Sequence, residues 1–325
     1  MSKENLKDQE REKTNAIANA APQSNAAQDD EIDLRELARA IWQGKWLIML
    51  VTFVFAVTGV FYALSLPDIY KSEALLAPAS DSSGMKVSGQ LGGLAALAGV
   101  NLGGSGGGDK TALAIEVLKS REFIGRFIEK YDLFVPVMAA ESWNRHDDAL
   151  QLNPELYNTV SQKWVREVKL PYKPKPSILE VYESLSNLLS VSQDKATGMI
   201  KLSIEHFSPY LAKKWVDLLI KEINKEMRER DLDEAQSSMN YLKEQISQTD
   251  IADVRSMLFS LIEEQTKTVM LASVRDEYVF KTVDQAVVAE KKAKPKRALI
   301  VALSVMLGGM LSVMLVLIRY FSRTK

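Results

Sequence analysis

The run WLIMLVTFVFAVTGVFYALSL occupies residues 46–66, and none of its 21 side chains is charged. A second uncharged run, ALIVALSVMLGGMLSVMLVLI, occupies residues 298–318. A helix rises about 1.5 Å per residue, so about 20 apolar residues are needed to cross a hydrocarbon core of about 30 Å. Each run therefore predicts one transmembrane helix.

A cleaved signal peptide is the alternative interpretation of the first run. Secretory signals place a shorter apolar region within about the first 15–30 residues and end it at a small-residue cleavage site. Here 45 mostly polar residues precede the run, and Pro67-Asp68-Ile69-Tyr70 follows it. These features favour an uncleaved membrane anchor.

Composition narrows the class of protein but not its orientation. The 325 residues include no cysteine and carry a net charge of −1. The absence of cysteine excludes disulfides and thiol chemistry, and the near-zero charge gives no indication of a nucleic-acid partner. Lys and Arg are equally frequent beside the two runs, six on the terminal sides and six on the central side. The positive-inside rule therefore leaves the topology open.

The segments outside the two runs differ in character. Residues 1–30 lack the apolar surface needed to offset the entropy of ordering, which predicts a disordered tail. Residues 31–45 predict a short interfacial helix, because apolar residues recur at helical spacing and Trp42 suits the headgroup level. Residues 319–325 form a short polar tail, so no sensor output module or kinase domain is expected after the second run.

Residues 67–297 are expected to form one mixed α/β domain. Ten of the 16 glycines fall in 84–108, which predicts a long flexible loop. Ser208-Pro209 is a good helix start, and long helices are expected over 209–272 with a break near Thr249. The other expected elements are a strand at 70–76, helices at 111–131 and 177–189, a hairpin of 191–194 with 199–205, and a strand at 278–283 that could pair with the first strand.

No catalytic, cofactor-binding or metal-binding residue is predicted. Gly108-Asp109-Lys110-Thr111 approaches the phosphate-binding pattern GxxxxGK[ST], but Asp109 stands where the second glycine is needed. His146 and His206 lack the spacing of metal ligands, so a surface or hydrogen-bonding role is expected for both. No serine lies in a GxSxG context, although the many carboxylates leave an acid pair open.

Two clusters at the second run are candidate interaction sites. Ser304, Gly308 and Ser312 recur at every fourth residue, which places small side chains on one helix face and predicts close approach of another helix. The alternative is that Gly and Ser are simply common in membrane helices. Just before this run lies a basic cluster that could bind an anionic headgroup or polymer, or act only as an interfacial anchor. Its members are Lys294, Pro295, Lys296 and Arg297.

Several segments in the same order resemble the Wzz family of polysaccharide co-polymerases, the chain-length determinants of lipopolysaccharide O-antigen. The resemblance covers nearly everything after residue 30 and is strongest in LIEEQTKTVMLA at 261–272. The other segments that carry it are Ile32-Asp33-Leu34 through Trp42, Lys45-Trp46, Ser208-Pro209 with Ala212 and Trp215-Val216, Tyr278, Phe280 and Asp284, and Pro295-Lys296-Arg297.

The resemblance implies a non-catalytic protein of the bacterial inner membrane, with both termini cytoplasmic and the domain at 67–297 periplasmic. It implies a ring-like homo-oligomer that acts with a Wzy-type polymerase on a lipid-linked polysaccharide and sets its modal length. The family usually carries a proline-rich run before the second span. Here Gln285 and Ala289 occupy two of those places and only Pro295 remains, which puts in doubt a polymerase contact through that run.

Three other functions are alternatives to this one. The chain could regulate the length of another lipid-linked glycan, or it could be the adaptor of a polysaccharide export machine. A glycosyl-processing enzyme is the third alternative, although no residue pattern supports it. Gel profiles of the surface polysaccharide and co-purified partners would distinguish these functions.

Overall fold

The structure is a computed structural model that describes residues 41–79 and 106–324. The chain divides into two units, one comprising Met1–Phe61 with Ala298–Lys325 and the other Tyr62–Arg297. The tail predicted at 1–30, most of the interfacial helix predicted at 31–45 and most of the loop predicted at 84–108 lie outside the described residues.

Helices and short strands alternate along the described parts of the chain. In order, the elements are α1 Lys45–Ser65, β1 Tyr70–Pro78, α2 Gly106–Lys119, α3 Arg121–Lys130, α4 Phe134–Met138, β2 Ala140–Asn144, β3 Ala149–Leu152, β4 Tyr157–Asn158, β5 Lys163–Trp164, α5 Ile178–Leu188, β6 Leu189–Gln193, β7 Ile200–His206, α6 Pro209–Gln248, α7 Ala252–Val274, β8 Phe280–Asp284 and α8 Arg297–Thr324.

The two uncharged runs are helical, as predicted. Lys45–Ser65 and Arg297–Ser322 have mean hydropathies of 2.4 and 2.5 and are long and apolar enough to cross a membrane. These helices belong mainly to the first unit. The second unit therefore contains the mixed α/β part of the chain.

The second unit is built on a four-stranded antiparallel sheet with the strand order β6-β7-β1-β8. The predicted pairing of the first and last strands is confirmed, because β1 pairs with β8. The predicted hairpin is also present as β6 and β7, and its turn contains Gly198 at a φ of +71°, a conformation that favours glycine.

One face of this sheet carries the hydrophobic core. Alternate residues of β1 and β7 are buried, as expected for strands with one covered face. Helices α2, α3, α5 and α6 supply the opposing apolar side chains. Fully buried members of this core include Leu76, Ile124, Leu185, Ile204 and Leu219.

The helix predicted at 111–131 is two helices. Helix α2 begins at Gly106, within the last residues of the predicted glycine-rich loop. Helix α3 begins after Ser120, whose Oγ accepts a 3.2 Å hydrogen bond from the Phe123 amide. The apolar positions keep a helical spacing across this break, which is why the sequence pattern did not reveal it.

Sequence analysis also missed the short elements between residues 134 and 164. Strands β2 and β3 form a hairpin, and β4 and β5 form another of two residues each. The Trp143 ring packs edge-on against Tyr70 at a centroid distance of 5.5 Å, and its Nε1 donates to Asp148. Such short strands lack the four or more alternating residues that a strand prediction needs.

His206 is one of the buried polar residues of the core. Its Nδ1 accepts a 3.1 Å hydrogen bond from the Ser208 amide, so the ring proton is on Nε2, 3.0 Å from the Pro136 carbonyl oxygen. Burial lowers the pKa of His206, although the hydrogen bonds to Pro136 and Ser208 act in the opposite direction. The neutral imidazole is therefore the form that fits the fold.

Acidification is expected to weaken the fold through His206. The unfolded chain takes up a proton near the ordinary histidine pKa of about 6.5, whereas the folded chain resists it, so stability falls as the pH drops below that value. The contribution of one such group is at most about 1.4 kcal/mol per pH unit. Urea unfolding between pH 7.5 and 5.5 should show a smaller pH dependence for His206→Gln than for the natural protein.

The matched control for this experiment is His146→Gln, because His146 is exposed. This variant should keep the pH dependence of the natural protein. Equal pH dependence in the natural protein and His206→Gln would contradict the argument.

Asn224 joins the long helix α6 to the last strand. Its Oδ1 accepts hydrogen bonds from the amides of Val279 and Phe280, at 2.8 and 2.9 Å. Its Nδ2 donates to the carbonyl oxygens of Phe280 and Ile220, at 3.0 and 3.1 Å. β8 is an edge strand, and the Asn224 side chain makes the hydrogen bonds to its backbone that a neighbouring strand would otherwise make.

Candidate functional site

Helices α1 and α8 approach closely within the first unit. A Cβ atom added at Gly59 would lie 2.6 Å from the Ser304 Cβ, and one added at Gly308 would lie 2.6 Å from the Phe55 Cβ. Gly44 lies against Val316 in the same way. Because the residue numbers rise along α1 as they fall along α8, the two helices are antiparallel.

The three small residues singled out in the second run have different surroundings. Ser304 and Gly308 face α1, and Ser312 is fully buried. The hydroxyls of Ser304 and Ser312 donate to the carbonyl oxygens of Ile300 and Gly309 in their own helix. Because both hydroxyls already have partners in their own helix, these serines do not need a hydrogen bond to a neighbouring helix, and their small side chains allow it to approach closely. Their role in packing remains a prediction.

Gly59 is the residue of this contact that sequence analysis missed. It lies between two other small residues of α1, Ala56 and Ala63, at spacings of three and four. That pattern is the same kind of signal as the small residues of the second run and could have identified the facing surface.

A cysteine pair at Gly59 and Ser304 is expected to form a disulfide. A Cβ atom added at Gly59 would lie 2.6 Å from the Ser304 Cβ, so the two helices need to separate by only about 1 Å to reach the Cβ–Cβ distance of a disulfide, about 3.8 Å. The natural chain contains no cysteine that could compete. Oxidation of the Gly59→Cys, Ser304→Cys protein in membranes should yield a faster-migrating monomer on a non-reducing gel. Adding Gly308→Leu should lower the cross-linked fraction at least about threefold, because a larger side chain meets Phe55.

Gly309→Leu is the matched control for Gly308→Leu. A Cβ atom at Gly309 meets nothing within 4 Å, so this variant should cross-link as well as its parent. If both leucine variants cross-link equally, Gly308 does not set the distance between the two helices.

Arg297 lies where the second unit passes into α8. Its Nε donates to the Ala63 carbonyl oxygen at 3.0 Å, and its Nη2 donates to the Leu66 carbonyl oxygen and to Asp68 Oδ1, at 3.4 and 2.9 Å. Carbonyl groups at the end of a helix have no partner within it. Arg297 therefore caps the end of α1 with a cation, which also suits the helix dipole.

The basic residues around Arg297 are not equivalent. Lys292 also binds Asp68 Oδ1, at 3.0 Å, and Lys294 forms an ion pair of 2.6 Å with Glu205. Lys296 is exposed and makes no ion pair with any residue that the structure describes. The sequence grouped Lys294, Pro295, Lys296 and Arg297 as one cluster, but it gave no sign that Asp68 lies among them.

The second notable surface is the pair of long helices. The half-buried positions of α7 follow spacings of four and three residues and form a seam against α6. Met257 and Leu261 lie exposed on one side of this seam, and we call them the first apolar row. Phe259 and Met270 lie exposed on the other side and form the second apolar row.

The described residues contain no group of three or more His, Cys, Asp or Glu that could hold a metal ion. Strong charge pairs do occur on α6, where Glu222 accepts from Lys130 and from the Tyr131 hydroxyl. Burial opposes ionisation of Glu222, but these two hydrogen bonds outweigh it and lower the pKa of the carboxyl group. This arrangement joins α3 to α6 and has the character of a structural contact.

Comparison with known proteins gives matches at both ends of the chain. Residues 30–131 match the family model described as "Chain length determinant protein" (Wzz). Residues 250–321 match the model described as "G-rich domain on putative tyrosine kinase" (GNVR). Together these two matches span just over half of the chain. No curated protein sequence matches it.

Two solved structures resemble the chain weakly. One is titled "full-length bacterial polysaccharide co-polymerase" and has 13% identity and a TM-score of 0.37, covering 91% of this chain and 99% of its own. The other is a fragment of WzzB, a polysaccharide co-polymerase from Salmonella Typhimurium, with 15% identity and a TM-score of 0.26. It covers 70% of this chain and 100% of its own.

Proposed function

We propose that this chain belongs to the Wzz family of chain length determinant proteins and that it regulates the modal length of lipopolysaccharide O-antigen. In this proposal it acts with a Wzy-type polymerase on a lipid-linked polysaccharide and catalyses no step itself. The matches of residues 30–131 and 250–321 to the two family models are the observation that carries the proposal. The chain is an inner-membrane protein with two candidate spans.

We further propose that both termini are cytoplasmic and that residues 67–297 form a periplasmic domain. Two spans place both ends of the chain on one side of the membrane and everything between them on the other. The long helices α6 and α7 then belong to the periplasmic part. An alkaline phosphatase fusion inserted at residue 195, in the β6–β7 turn, should be active if this topology is right.

The apolar rows of α7 support a ring-like homo-oligomer. A twofold dimer needs only one self-complementary surface, whereas a head-to-tail ring needs two different surfaces on each copy. The first and second apolar rows lie on opposite sides of the seam and differ in composition. We propose that the first row of one copy packs against the second row of the next.

The test of the proposed function is a gel profile of surface lipopolysaccharide from the host, with and without this protein. Deletion should replace a clustered length distribution with an unregulated ladder, and expression of the protein from a plasmid should restore the cluster. An unchanged profile would contradict O-antigen regulation. Parallel gels of other lipid-linked glycans would then show whether one of them is the substrate.

A further inference from the structure

We propose that Lys292, Lys296 and Arg297, here called the exit cluster, bind the phosphate group of a membrane lipid. The three residues lie at the junction between the Tyr62–Arg297 unit and α8. The inference deepens the proposed function and rests on it in one respect, because a lipid-linked polysaccharide is joined to its lipid through phosphate.

Arg297 has donors available for such a ligand. A guanidinium group carries five N–H donors, and the three hydrogen bonds of Arg297 use only Nε and Nη2. The two N–H groups of Nη1 have no partner among residues 41–79 and 106–324. The bonds to Ala63, Leu66 and Asp68 hold the planar group in one orientation, and a fixed arginine fork suits phosphate oxygens.

The exit cluster carries an excess of positive charge. Among the residues that the structure describes, Asp68 is the one acid that forms an ion pair with it, and a single oxygen of that carboxylate accepts from both Lys292 and Arg297. Lys296 adds a third cation without a described partner. The neighbouring Lys294 is neutralised by Glu205, and Lys291 is offset in charge by Glu290. About two positive charges therefore remain for an anionic ligand.

The position of the cluster at the ends of the two candidate spans indicates that the ligand is a lipid. Arg297 is the first residue of α8 and caps the end of α1, so both candidate spans end at this cluster. Lipid phosphates lie at this level of a bilayer, and each Lys or Arg near an anionic surface contributes about 1 kcal/mol. The phosphate can come from a phospholipid or from the polyprenyl carrier of a glycan.

The test is lipid binding to the full-length protein in detergent, measured by native mass spectrometry. The probes are phosphatidylglycerol, a polyprenyl diphosphate, and diacylglycerol as a lipid without phosphate. Lys296→Gln should weaken binding of the phosphate lipids about fivefold, and Lys292→Gln with Lys296→Gln about 25-fold. Diacylglycerol binding should not change.

Lys195→Gln is the matched control because it removes the same charge from an exposed site in the β6–β7 turn. Tyr70 and His206 pair near the exit cluster, at one end of β7. The β6–β7 turn lies at the other end of β7, so Lys195 is far from the cluster. Lys195→Gln should bind every lipid as the natural protein does. A circular dichroism melt verifies that each variant is folded.

The outcomes separate this inference from the proposed function. Tighter binding of the polyprenyl diphosphate assigns the cluster to the glycan carrier, and equal binding of both phosphate lipids assigns it to the surrounding phospholipid. Equal affinity of the natural protein and the double variant for both probes overturns the inference. Lipid binding without any effect of deletion on lipopolysaccharide length contradicts the proposed function alone.

Discussion

Replacing Met257 and Leu261 together by glutamate should leave the protein folded but unable to assemble. These side chains are 66% and 41% exposed in the single chain, so the substitutions break no core contact. In the proposed ring they are buried against the next copy, and burying one such side chain contributes about 1.5–3 kcal/mol. Loss of both should weaken each contact at least about a hundredfold.

Light scattering after size exclusion in detergent measures this loss as a shift from oligomer to single protomer. The same variant, expressed in place of the natural protein, should give the unregulated ladder of a deletion strain. Phe259→Glu with Met270→Glu should behave alike, because it alters the opposite surface of the same contact. Mixing the two variants should not restore complete rings.

The control for these variants places the same charges elsewhere on the helix. Ser256 and Ser260 are exposed on the side of α7 that faces away from α6, outside both apolar rows. Ser256→Glu with Ser260→Glu should assemble and regulate length normally. If the Met257 and Leu261 variant also assembles normally, the first apolar row is not a contact between copies.

Replacing Asn224 by alanine should lower the free energy of unfolding by about 3 kcal/mol. The change leaves the Val279 and Phe280 amides and the Phe280 carbonyl oxygen buried without partners, and each such group costs about 1–3 kcal/mol. For a unit of this size the melting temperature should fall by roughly 6–12 °C. Circular dichroism melts of the full chain in detergent measure the shift.

Two further variants isolate the cause. Asn240→Ala removes the same side chain from an exposed position of α6 and should change stability by less than about 0.5 kcal/mol. Asn224→Asp keeps the size of the side chain but loses its donors, so it should also destabilise the protein. A melt of Asn224→Ala within 2 °C of the natural protein would show that these hydrogen bonds contribute little to stability.

Much of the architecture could be predicted because its signals are local. The two spans are visible as uncharged runs, the start of α6 as Ser208-Pro209, and the β6–β7 turn as Gly198. Each signal depends on residues within one or two turns of each other. The same locality explains the errors, since the break at Ser120 and the two-residue strands leave no periodic pattern.

The resemblance to the Wzz family was identified from several short segments in the right order, and residues 30–131 match the chain length determinant model. The candidate site could be predicted only in part. The small residues at 304, 308 and 312 and the basic cluster at 294–297 were visible, but their partners Gly59, Phe55 and Asp68 were not. A sequence pattern can show that a surface is suited to contact another part of the chain, but it does not identify the residues on the other side of that contact.

The sequence by itself therefore determined the two candidate membrane spans, the helix and turn boundaries with strong local signals, and the resemblance to the Wzz family. Only the tertiary structure decided that Asn224 binds Phe280, 56 residues away, and that Arg297 binds Asp68, 229 residues away. The physical reason is that caps, turns and apolar periodicity are set by neighbouring residues. Contacts between residues far apart in sequence depend instead on how the whole chain packs. Many polar side chains could form such hydrogen bonds, and the tertiary fold determines which of them come close enough to do so.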